Sequence, residues 1–139
     1  GVLKFYDLAR QRELSQLRLA RRETELVDIS ADGRWVTCVD GTSLRCWNIN
    51  TRREQPRVTL SGTPGSLRIT ADSSRIVCGV SGKVVYWNRA TGKKDYSLAT
   101  RSAGLVRHLA VSPTGELVAA SPHGTESRLQ VFALSGRTE

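Results

Sequence analysis

The sequence contains no methionine, two histidines, three cysteines and four prolines in 139 residues. Each scarcity removes a class of function. His108 and His123 stand 15 residues apart with no ligand types grouped around them, so neither a zinc site nor a histidine-based triad is marked. Cys38, Cys46 and Cys78 form no CxxC pair, and an odd number closes no disulfide framework. Reduced, buried thiols in a cytoplasmic protein are the expectation. No run of 18 apolar residues is available to cross a membrane as a helix. Gly92-Lys93-Lys94 lacks the upstream glycine spacing and the Ser/Thr of a phosphate loop. Glu23 and Glu25 sit among other charges, unlike a buried catalytic pair. No catalytic residue, metal ligand or cofactor is therefore expected, and the chain reads as a non-enzyme. With no methionine and a start directly in Val2-Leu3-Lys4-Phe5-Tyr6, it also reads as a segment of a longer protein.

Arginine, by contrast, is abundant: 17 Arg and 4 Lys against 13 acids give a formal charge of +8. A positive field favours anionic partners. The acids are interspersed, however, and no aromatic platform alternates with the basic residues to stack bases. Binding of a nucleic acid or other polyanion therefore ranks below binding of a protein.

The eight aromatic residues are few but placed at a period. Tyr6-Asp7, Trp47-Asn48, Trp87-Asn88 and Phe132-Ala133 follow one another at steps of 41, 40 and 45 residues. Such spacing marks a stacked repeat. Leu3–Leu8, Leu44–Ile49, Val84–Arg89 and Leu129–Leu134 align as strands rich in β-branched and aromatic residues. A polar turn follows each. A second strand then alternates with period two, through Leu17 and Leu19, Val58 and Leu60, or Leu98 and Thr100. The rival over the first of these is an amphipathic helix from Arg10 to Glu25. A third strand comes next: Val27–Ser30, Leu67–Thr70 and Leu109–Ser112. Its turns, Ala31-Asp32-Gly33, Ala71-Asp72-Ser73 and Pro113-Thr114-Gly115, carry turn chemistry. A fourth, nearly continuous apolar strand runs over 34–39, 75–80 and 116–121. It returns to the aromatic strand through Asp40-Gly41, Ser81-Gly82 or the longer 122–126 loop. The counts of strands are two, four, four and three.

Each small sheet has two apolar faces that it cannot bury alone, and stacking face to face buries them. The hairpins argue against the alternative, a parallel solenoid. The predicted fold is therefore all-β: a β-propeller fragment of about three four-stranded antiparallel blades plus a half blade at the N-terminus. Residues 1–20 end one blade, 25–60 and 65–100 form two more, and 105–139 form an incomplete one.

Ile29-Ser30-Ala31-Asp32-Gly33-Arg34 and Val111-Ser112-Pro113-Thr114-Gly115-Glu116, with the aromatic dipeptides, resemble the WD-repeat β-propeller family over nearly the whole chain. Tyr6, Asp7, Trp47, Asn48, Trp87, Asn88 and Phe132 stand at the family's Trp-Asp positions. The family's Gly-His dipeptide is absent from every copy, where Arg22-Glu23, Gly62-Thr63 and Ser102-Ala103 lie instead. The resemblance implies a non-catalytic protein-interaction scaffold, with Glu25, Asp40, Ser66, Arg107 and His123 as partner contacts on one face. The opposite face carries a weakly basic rim of Arg10, Arg12, Arg34, Arg52, Arg53, Lys93, Lys94 and Arg137, interspersed with Glu13, Asp32, Glu54, Asp72 and Glu139. Alternatives are an accessory propeller domain of a larger enzyme or signalling protein, and a polyanion binder using the rim. Three and a quarter blades close no ring. Further blades from a parent chain, or self-association, are expected to cover the open ends.

Overall fold

The computed structural model describes residues 2–18, 26–123 and 128–134. Among these residues thirteen strands form four antiparallel sheets, each ordered as in the chain. Sheet I holds β1 (Val2–Asp7) and β2 (Arg12–Arg18). Over these residues the helix alternative fails, and residues 19–25 lie outside the described part. Sheet II holds β3 (Val27–Ile29), β4 (Trp35–Asp40), β5 (Ser43–Asn48) and β6 (Val58–Thr59). Sheet III holds β7 (Pro64–Ile69), β8 (Arg75–Val80), β9 (Lys83–Asn88) and β10 (Lys94–Ala99). Sheet IV holds β11 (Val106–Val111), β12 (Leu117–Pro122) and β13 (Gln130–Ala133). This is the architecture of propeller blades.

Register repeats with the sequence. Trp35 pairs with Asn48, Arg75 with Asn88, and Leu117 with Ala133. Because side chains alternate across a strand, the repeated aromatic falls on the same face each time. Trp87 joins the cluster between sheets II and III, with Leu44, Cys46, Leu67 and Ile76. Phe132 packs on the cluster between sheets III and IV, with Val77, Tyr86, Val106 and Val118. Each thus faces the preceding sheet. Trp47 is likewise buried, with Val36 and Cys38. Cys46 and Cys78 have thiols pushed up to about 12 by burial, so both act as apolar filling.

The polar partner of each aromatic caps a turn. The Asn48 side-chain oxygen accepts from the Asn50 and Thr51 amides at 3.0 and 2.9 Å. Asn88 does the same for Ala90 and Thr91, and Asp7 for Arg10. Four residues beyond each cap the backbone takes positive φ: Gln11, Arg52 and Gly92 at 49°, 57° and 68°. The turn into the fourth strand repeats as well. Asp32 accepts from the Ser30 hydroxyl and the Arg34 amide, and Asp72 from the Thr70 hydroxyl and the Ser74 amide. These bonds hold Asp72 down to about 2, the Ser74 and Thr70 hydroxyls contributing most.

After each Asp-type turn residue the backbone enters the left-handed region. Gly33 and Gly115 stand there at φ 66° and 76°, but sheet III has Ser73 at 59°. A left-handed L-residue costs roughly 1–2 kcal/mol. The Ser73 hydroxyl is also buried without a hydrogen-bond partner among the described residues. Ser73→Gly adds unfolded-chain entropy of about 0.5–1 kcal/mol. The expected net result is stabilisation by about 1 kcal/mol, read as a higher urea midpoint. A lower midpoint would contradict the turn assignment.

Candidate partner-binding surface

The turns gather at two opposite ends of the sheets. At one end, the Ile49 amide donates to the Arg34 carbonyl, Arg89 to Ser74 and Leu134 to Glu116. This brings together the turns that follow the third and the aromatic strands, as the repeat alignment predicts. At the other end, Leu60 donates to Thr42, Thr100 to Gly82 and His123 to Leu105. There the β4–β5 and β8–β9 hairpins meet the loops that join one sheet to the next.

The predicted partner contacts separate on this frame. Asp40 ends β4 and pairs with Arg45 at 3.4 Å. Arg107 and His108 are exposed on β11, and His123 is exposed just beyond β12. Glu25 lies outside the described residues. Ser66 is corrected: it is buried, and its hydroxyl donates to the Val106 carbonyl at 2.7 Å. It joins sheet III to sheet IV and presents nothing at the surface. A serine that faces a neighbouring sheet carries no mark of that in a single repeat. Asp28 was not singled out either, yet its carboxylate accepts from the Ile69 amide at 2.7 Å, joining sheet II to sheet III.

Several arginines outside the rim are engaged within the framework. Glu54 accepts from Arg45 at 2.8 and 3.1 Å and from Arg57 at the same two distances. Arg45 also stacks 4.5 Å over the Trp47 ring. Arg89 lies 3.5 Å over the Trp35 ring and donates to the Ser73 carbonyl. These guanidiniums are held by the framework. Arg137 and Glu139 lie outside the described residues. Arg45, then Arg57, hold Glu54 down to about 2, from an ordinary 4.5. A depressed carboxylate contributes stability above its unfolded pKa and loses it as pH falls through the folded one. Acid titration should therefore remove about 1–2 kcal/mol between pH 4.5 and 2, after discounting for solvent. Glu54→Gln should flatten that part of the stability–pH curve. An unchanged curve would rule the pair out as its source.

Among the described residues no group of three His, Cys, Asp or Glu is placed to hold a metal ion.

No protein-family model matches the chain, and no curated protein does. The solved structures match widely: 820 chains do, so the likeness selects a fold and no single function. One is hydrazine synthase from Kuenenia stuttgartiensis, with a TM-score of 0.80 at 17% identity. The match covers 96% of this chain and 40% of that one. It shows an all-β chain of four-stranded antiparallel blades that corresponds to part of a larger one.

Proposed function

We propose that the chain is a segment of a divergent WD-repeat propeller whose role is non-catalytic: it presents loops to a protein partner. One observation carries the segment reading. In sheet III, Val84 and Tyr86 face the next sheet and are 0% exposed. Leu129 and Val131 hold the same repeat positions in sheet IV, and they are 69% and 64% exposed. Val27 and Ile29 are exposed on sheet II, where their counterparts Leu67 and Ile69 in sheet III are buried. Positions that repeat in sequence but lose their cover in space call for further blades, or a second copy, at both ends. Among the described residues sheet IV has three strands, where sheets II and III have four.

The scaffold reading draws on the repeat resemblance and on the exposure of Arg107 and His123. Sedimentation tests the segment reading. The 139-residue chain should self-associate, and a version extended by flanking repeats should not. A monodisperse, cooperatively unfolding 139-residue monomer would sink it. Charge reversal at Arg107 with His123→Ala tests the scaffold reading, since it should abolish partner binding without loss of fold. A second reading is an accessory propeller domain of a larger enzyme, since the chain corresponds in fold to part of a longer chain. Activity that survives deletion of this segment would support that alternative.

A further inference from the structure

A groove of about 410 Å³ runs between sheets II and III on their outer side. Its origin is local. β10 runs for six residues, but β6 for only two. β6 is cut short after Gln55-Pro56, because proline cannot donate to the ladder. The outer part of sheet III therefore projects past its neighbour. Lys83, Val85 and Trp87 alternate onto the face that looks into the groove. Across the ladder, Lys94 stands opposite Trp87 and Ser97 opposite Val85.

Three cations line this groove, Arg57, Lys83 and Lys94, and no carboxylate does. Glu54 already pairs with Arg57. Lys83 and Lys94 are both exposed, with no ion-pair partner among the described residues. Between them lie the edges of Val85 and Trp87 and the Ser97 hydroxyl. Lys83 and the Lys94–Trp87 pair are four residues apart along the strand, about 13 Å. An extended peptide places side chains i, i+2 and i+4 on one face, at that same spacing.

We infer that this groove binds an extended acidic peptide of the pattern acid–x–apolar–x–acid, its carboxylates on Lys83 and Lys94 and its apolar side chain on Val85 and Trp87. The charge is complementary, and the hydroxyl of Ser97 serves the peptide backbone. Nucleic acid fits less well, since Trp87 is buried and offers no face on which a base could stack. The site lies wholly between two complete sheets, so it holds whatever the blade number and independently of the loop contacts proposed above.

The test uses the 139-residue chain and a labelled seven-residue peptide with glutamate at its second and sixth positions and leucine at its fourth. Fluorescence anisotropy should show saturable binding below about 1 mM. Lys83→Glu with Lys94→Glu should weaken it by about tenfold or more. Arg10→Glu with Arg18→Glu makes the same charge change elsewhere and should leave binding within about twofold. Changing the peptide's leucine to glycine should weaken it as well. Circular dichroism confirms that the exposed lysine changes keep the fold. Absence of binding, or equal loss in both double variants, would overturn the inference. So would a short single-stranded RNA that binds more tightly and loses that binding with the lysines, which would assign the groove to a polyanion.

Discussion

Trp47→Ala is expected to cost about 3–5 kcal/mol, and Trp87→Ala a similar amount. Both rings are at most 7% exposed; Trp87 sits in the cluster between sheets II and III, and Trp47 packs with Val36 and Cys38. Their loss removes a transfer term and leaves a cavity lined by close-packed neighbours, which cannot collapse fully without moving a sheet. Folded domains are stable by only about 5–15 kcal/mol, so either change should bring the chain near unfolding. The internal control is Tyr6→Ala. Tyr6 occupies the same repeat position but is 56% exposed, so its truncation should stay within about 0.5 kcal/mol. Urea unfolding of the three variants decides the matter. Equal costs at Tyr6 and Trp47 would mean that the motif, rather than its burial, sets the effect, and the register would be wrong.

Gly65→Ala should cost about 3 kcal/mol. A Cβ at Gly65 would lie 2.5 Å from the Val106 carbonyl oxygen and 2.7 Å from Leu105 Cγ. Backbone cannot rotate out of the way as a side chain can, so sheet IV must move off sheet III. The same carbonyl accepts the Ser66 hydroxyl, and separating the sheets strains that bond too. Gly33→Ala provides the contrast. No atom lies within 4 Å of its added Cβ, and only its φ of 66° resists. That change should cost about 1 kcal/mol. Thermal denaturation of both variants distinguishes a steric cost from a conformational one. A neutral Gly65→Ala would place sheets III and IV farther apart than described here.

The strands were legible because their two causes are local. Alternation and turn chemistry can be read from a few residues at a time, and the repeat lets four weak copies support one another. Thus the period of Tyr6, Trp47, Trp87 and Phe132 locates the blades, and the Asp72 turn marks where a strand reverses. Relations between sheets were not legible. Ser66 looks like a surface serine until sheet IV is laid beside it, and Asp28 looks like a strand-face charge until the Ile69 amide meets it. The caps made by Asn48 and Asn88 were within reach, since Asn favours such turns, but their recurrence beside an aromatic pointed first to a framework dipeptide. The groove had one visible signal, Pro56. Its meaning depends on how far β10 extends past β6, a length that no single segment carries.

Backbone ladders run within each sheet. Between sheets II, III and IV the described polar links include the bonds Asp28–Ile69, Ser66–Val106 and Gln130–Arg101, together with the Arg89 guanidinium over the Trp35 ring. Apolar side chains supply the rest. The molecule therefore has a mechanical grain. It resists shear along the strands, where many amides act in parallel, and yields to peeling across the stack, where a handful of contacts must carry the load. A force on the chain ends would meet one sheet at a time. Sheet III, packed on both faces, would be the last to let go, as nearest-neighbour coupling in a row of repeats requires.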